Sequence, residues 1–245
     1  RFLPRFVRFS AELEDMFAPA VREEHSLGGH LRIKTPTTVT SMFIGELLAE
    51  FLAAHPGVSL EIVLIDRSVN PMEEGFDFSI GALPVSYPNL VDFPLCPYEQ
   101  FTCCAPSYLE DHVAPEHPGD LASHDVLTAV VYAKTWTFEG PNGPISAHVQ
   151  PRVLASDSRT LRAAALRGLG ITILPREVID EDLRAGRLVH IMREYPVSRL
   201  WLKALVPITK MQSPLVREVL AFLKARVPHA QEHSQEEEFR NRTAG

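Results

Sequence analysis

The stretch from Leu31 to Ile65 reads as strand, helix, strand within 35 residues, and nothing else in the chain restricts the fold as tightly. Leu31-Arg32-Ile33 opens a short apolar strand. Thr35-Pro36-Thr37-Thr38 then supplies turn and helix-start chemistry, because short hydroxyl side chains accept from free backbone N–H groups. From Val39 to Ala54 the residues Phe43, Ile44, Leu47, Leu48, Phe51 and Leu52 recur at helical spacing. His55-Pro56-Gly57 stops the helix, and VSLEIVLI (58–65) is β-branched enough to read as a strand. A crossover of this kind makes the two strands parallel neighbours in one sheet. Residues 66–74 read as a loop and short helix, and Phe76 to Ile80 as a third strand ending at Gly81.

The 245 residues leave room for a second unit. Extended segments are predicted at 91–95, 100–105, 126–132, 145–154, 170–174 and 188–192, with an Ala-rich helix at Thr160–Arg167 and another at 176–183. The middle of the chain, from about Gln100 to Arg199, therefore reads as a second α/β unit. The last strand (200–206) and last helix (215–227) fit either unit. Open α/β sheets bind ligands at the carboxyl ends of their strands, which points to Thr35–Thr38, Asp66–Ser68 and Gly81. At Thr37-Thr38, hydroxyls and free N–H groups suit an anion; they equally suit ordinary capping, and both readings can hold together.

The formal charge of −7 argues against nucleic-acid binding by bulk electrostatics. No uninterrupted run of 18 apolar residues occurs, so no membrane partner is expected. The opening RFLPRFVRFS lacks an initiator Met and a signal-peptide core, which suggests an upstream segment. Cys96, Cys103 and Cys104 are an odd set without metal-ligand spacing, and neighbours in a strand face opposite ways; they read as structural thiols. His229 and His233 are an i, i+4 pair in a polar tail with too little apolar surface to order itself. No GxSxG, phosphate-loop, GxGxxG or HExxH pattern is present, and neither a cofactor nor a metal nor a catalytic set is called for. Phe2, Phe6, Phe9, Leu13, Met16, Phe17 and Val21 form a narrow apolar stripe at helical spacing that expects a partner.

Several segments then fall into a familiar order. They are GHLRI (29–33) with Pro36 and Thr38, FLAAHPGVSLE (51–61), GFDFSI (75–80), APSYL (105–109), HPGDL (117–121), AAALRGLGITILP (163–175) and LRAGRLV (183–189). Each is weak alone, but as an ordered set the chain resembles the linker helix and effector-binding domain of LysR-type transcriptional regulators. The resemblance implies an α/β fold of two Rossmann-like subdomains with two crossovers and one ligand cleft, similar to type 2 periplasmic binding proteins. It implies that residues 1–27 end the linker helix, 28–99 with 200–227 form one subdomain, 100–199 form the other, and 228–245 are a disordered tail.

For function, the resemblance implies a small-molecule effector, with a carboxylate or aromatic acid favoured by the helix start. It implies Thr37, Thr38, Arg67, Ser68 and Gly81 on one wall of the cleft, and Thr128, Val130, Leu174 and Pro175 on the other. The helices Val39–Ala54 and Thr160–Arg167 look like those that dimerise antiparallel, although their apolar faces also fit a simple core. The implied partners are the effector, a second copy in a homodimer or homotetramer, and DNA only through an N-terminal winged helix-turn-helix absent from this chain. The expected location is cytoplasmic. The rival reading is a free-standing solute-binding protein of a transport system; a signal peptide encoded upstream of Arg1 would favour it.

Overall fold

In the computed structural model, which describes residues 27–132 and 134–227, ten strands form two sheets. The first sheet runs β2-β1-β3-β12-β4, from β1 (Gly28–Thr35), β2 (Gly57–Leu64), β3 (Phe78–Gly81), β4 (Leu90–Tyr98) and β12 (Leu200–Pro207). β1 is parallel to both β2 and β3, while β12 runs antiparallel between β3 and β4. The second sheet runs β11-β5-β10-β6-β9, from β5 (Gln100–Cys104), β6 (Val126–Ala129), β9 (Pro151–Ala155), β10 (Ile171–Pro175) and β11 (Val189–His190). β7 (Thr135–Gly140) and β8 (Gly143–His148) form a separate hairpin. The chain passes between the sheets twice, at Glu99 and between His190 and Leu200, which is the two-crossover α/β architecture the resemblance implied.

α1 (Thr37–Ala54) packs on the first sheet together with α6 (Pro214–Arg226). Leu31 and Ile33 of β1, Ile44, Leu48 and Phe51 of α1, and Val219 and Leu223 of α6 share one core. Strand alternation turns Lys34 to the opposite face. That face is covered by the loop after β2 and by α2 (Pro71–Glu74), which Asn70 caps and which Gly75 ends in the left-handed region at φ 74°. By length and mean hydropathy (1.3) alone, α1 would also suffice to cross a membrane. Its apolar stripe is instead spent on the sheet.

α1 begins two residues earlier than the apolar spacing indicated and carries a π-helical turn at Thr40–Ile44. Gly45 permits that turn, since a Cβ there would stand 2.9 Å from the Thr40 carbonyl oxygen. The Val126–Tyr132 segment leaves the sheet after Ala129 and winds into a 3-10 turn. The single strand expected at 145–154 is two: β8 belongs to the hairpin and β9 to the sheet edge.

The second sheet has apolar clusters on both faces. Cys104, Trp136 and Phe138 lie in one, and Cys103, Leu161 and Leu174 in the other, so the adjacent cysteines do face opposite ways. α4 (Ser158–Leu166) and α5 (Arg176–Arg184) cover the second cluster. They are tied by Asp182, a fully buried carboxylate that accepts from Arg162 at 2.5 and 3.0 Å and from Arg187 at 2.7 Å. Burial alone would raise the Asp182 carboxyl; the two guanidinium groups outweigh it and hold it below the usual range. The stripe at residues 2–25 and the tail from 228 lie outside the described residues.

Candidate functional site

Chain order defines where a site should form. From β1 the chain passes to β2 on one side, and from β2 to β3 on the other, so the crevice between β1 and β3 is the topological switch point. A recess of about 40 Å³ lies there. At about 10–15 Å³ per water, it has space for roughly three waters. It is lined by the loop Asp66–Val69, by Ser79, Ile80, Gly81 and the residues after them, and by Lys34, Pro36, Lys203 and Leu205.

Lys34, next to last in β1, lines this recess and is only 3% exposed. Its Nζ donates to the Ile80 carbonyl at 3.2 Å. Burial pulls its pKa down from 10.5 to about 8; Asp66 and Glu74 oppose the drop, and Arg67 adds to it.

The start of α1 is organised differently from the simple capping expectation. Pro36 sits at the N-cap and provides no side-chain cap. The anion at the helix start is internal: Asp66 accepts from the Thr37 N–H at 2.8 Å and from the Thr37 hydroxyl at 2.9 Å. A carboxylate from the loop after β2 thus does what the threonines were expected to do, because a helix N-terminus favours negative charge. Thr38 is buried, and its carbonyl accepts from the Ser41 hydroxyl at 3.0 Å.

Arg67, Ser68 and Gly81 all line the recess. Arg67 forks onto Glu74 at 2.9 and 3.2 Å, and that contact, with the charge behind it, raises its pKa. The Ser68 hydroxyl accepts from Tyr87 at 3.1 Å. Around Gly81 there is open space, with nothing within 4 Å of where a Cβ would stand. Lys203 donates to the Val85 carbonyl at 2.9 Å and pairs with Asp92.

The second sheet contributes no residue to this recess. Thr128 is buried, and its hydroxyl accepts from the Trp136 indole N–H at 2.8 Å. Val130 is half exposed on the 3-10 turn after β6. Leu174 is core, and Pro175 is buried at the β10–α5 junction. The units meet at Tyr98: burial raises its phenol, reinforced by Tyr132 and Glu177 of the second unit and Asp66 of the first. Tyr132 donates to Gln100 at 2.8 Å. Burial also pushes Cys96 and Cys104 up to about 12, and Cys103 higher still, so none supplies a thiolate near neutral pH.

Sequence reasoning passed over Lys34, Ser79 and Lys203, and it placed Asp66 in a candidate loop without giving it a role. Two had a readable signal. Lys34 is a cation near the carboxyl end of a strand, next to the core residue Ile33, and Asp66 is a carboxylate just past the end of one. Ser79 joins the site through the pairing of β3 with β1, and Lys203 through the placement of β12 beside β3, neither of which a local pattern encodes.

Two crossover-linked α/β sheets with a charged recess at a switch point define a two-unit ligand-binding module. The chain belongs to the LysR family: residues 24–228 match the LysR substrate binding domain. An Escherichia coli protein, the uncharacterized HTH-type transcriptional regulator YhjC, is 31% identical over 220 residues, covering 87% of this chain and 71% of that protein. The HTH-type transcriptional regulator PtxR of Pseudomonas aeruginosa is 24% identical over 238 residues, covering 95% and 73%. The full-length Vibrio cholerae virulence activator AphB superposes with a TM-score of 0.70 at 22% identity, over 91% of this chain and 76% of that one. The regulatory domain of CrgA from Neisseria meningitidis does so with a TM-score of 0.69 at 23% identity, over 82% and 100%. At such identity the structural likenesses speak for the fold. The chain carries the effector-binding domain of a LysR-type transcriptional regulator, a family whose role is regulation rather than catalysis.

Proposed function

We propose that this domain senses a small carboxylate or aromatic acid at the crevice between its two units and passes the binding event to DNA through a helix-turn-helix module. The observation that carries the reading is the charged recess at the carboxyl ends of β1 and β3, with the buried Lys34 in its lining. Arg67, Ser68 and Gly81 line it, and Thr37 and Thr38 follow its Pro36. In this reading Thr128, Val130, Leu174 and Pro175 belong to a facing wall on the second unit, outside the recess itself. A ligand with different affinities for open and closed arrangements shifts the population between them, which is the whole of the switch. No cofactor, metal or catalytic step enters, and the protein works in the cytoplasm.

The functional form is a homodimer or homotetramer. Ile62 and Leu64 on edge strand β2, beside α1, and Leu154 on edge strand β9, beside α4, are exposed apolar residues suited to a partner. Sizing the 245-residue chain should show a dimer or larger, and Leu64→Glu should shift it toward monomer. A strictly monomeric wild type at high concentration would refute this assembly.

The sensing role is tested by thermal shift with a library of small acids, amines, amides and sugars. A stabilising ligand is expected among the acids, with a rise that follows RT ln(1 + [L]/Kd). A flat response to every class would overturn the sensing role.

A further inference from the structure

The cations at the recess are not equivalent. Arg67 is satisfied by Glu74, and Lys203 by Asp92. The recess carboxylate, Asp66, has both oxygens engaged by Thr37. Lys34 remains: it is the most buried of the three cations, and among the described residues its Nζ meets a neutral carbonyl rather than a carboxylate. An ammonium carries three donors, and burying a charge is costly unless it is paired. Two donors of Lys34 are available to whatever enters the recess.

We infer that Lys34 anchors the effector's acidic group, a monoanionic carboxylate whose oxygens accept the two remaining N–H donors of Nζ. This rests on the effector-sensing reading above and moves the acid group from the start of α1, where Asp66 already sits, to the base of the crevice. The recess has space for a carboxylate and little more, so the rest of the effector extends outward past Gly81. The charged groups around Nζ are Asp66, Arg67 and Glu74, with the Lys203–Asp92 pair on the adjoining strands. A docked anion raises the Lys34 pKa from about 8, so binding takes up protons above that pH and weakens as pH rises past it.

The chain has five lysines, Lys34, Lys134, Lys203, Lys210 and Lys224, so their Nζ signals can be followed by NMR on protein labelled with 15N-lysine. The probes are sodium acetate and sodium benzoate, their neutral isosteres acetamide and benzamide, and inorganic phosphate. At least one of the two acids should shift the Lys34 signal saturably and raise its titration midpoint, while the amides leave it in place. Lys34→Met should weaken that acid by about 30-fold, in keeping with loss of hydrogen bonds from a charged donor. An acid that saturates without moving the Lys34 signal, or that binds Lys34→Met as tightly as wild type, overturns the assignment. Tighter binding of phosphate than of either acid overturns the carboxylate class. No saturable response to acetate or benzoate also counts against Lys34 as anchor. In each of these cases the sensing role stands if the wider library still stabilises the protein, and falls with the assignment only if that library is silent.

Discussion

A cation placed for binding should cost the fold stability, and Lys34 allows that cost to be worked out. Its pKa falls from 10.5 to about 8 on folding. At 1.36 kcal/mol per pH unit, holding the ammonium in the folded protein at pH 7 costs about 3 kcal/mol. Lys34→Met keeps the unbranched shape and discards the charge. It also discards the hydrogen bond to the Ile80 carbonyl, which returns about 1 kcal/mol. The net expectation is a variant more stable than wild type by about 2 kcal/mol at pH 7, or roughly 4–8 °C in Tm for a domain of this size. The pH dependence is as diagnostic as the magnitude. Between about 8 and 10.5 the unfolded chain binds the Lys34 proton and the folded one does not, so wild-type stability rises with pH across that window. The advantage of Lys34→Met therefore shrinks through the same window, is gone before its top, and at pH 10.5 gives way to a deficit of about 1 kcal/mol, the lost hydrogen bond. Urea unfolding of both proteins at pH 7, 9 and 10.5 measures this. A variant less stable than wild type at pH 7, or a gain that does not change with pH, would refute the reasoning.

Asp182→Ala leaves Arg162 and Arg187, both partly solvated, without their buried partner and should cost about 1–3 kcal/mol in urea unfolding. Because the folded pKa of Asp182 is depressed, its contribution is fully present above the unfolded value near 4 and is lost as pH falls through the folded one, so wild type and variant should converge in acid. Asp66→Ala removes the anion from the start of α1 at a cost of about 1 kcal/mol. It also removes the largest influence holding the Lys34 pKa up, so the NMR midpoint of Lys34 should fall below about 8. Gly45→Ala forces a Cβ against the Thr40 carbonyl and should destabilise by about 1–3 kcal/mol; a neutral result would show that the π-turn relaxes freely.

What was legible in the sequence and what was not divide along a physical line. The βαβ unit could be read because β1, α1 and β2 are local, and each announces its buried face by period. The carboxyl ends of those strands pointed to the loop that borders the recess, and Arg67, Ser68 and Gly81 line that recess. Thr37 stands at the helix start next to Pro36 of the recess, and its N–H and hydroxyl are taken by Asp66. A helix start attracts an anion, but the nearest anion is the chain's own Asp66, and only three-dimensional register brings the two together. The same logic explains why Lys34 escaped notice. A lysine near a strand end is ordinarily a solvated charge. It becomes a buried ammonium here because β3 lies on one side of β1, β2 on the other, and the loop after β2 folds over them. Burial is a property of the assembled sheet rather than of any window of sequence. A cation that the sheet buries with a neutral carbonyl as its hydrogen-bond partner is therefore where folding and the proposed binding pull in opposite directions, and where stability measurements on the ligand-free protein test that proposal.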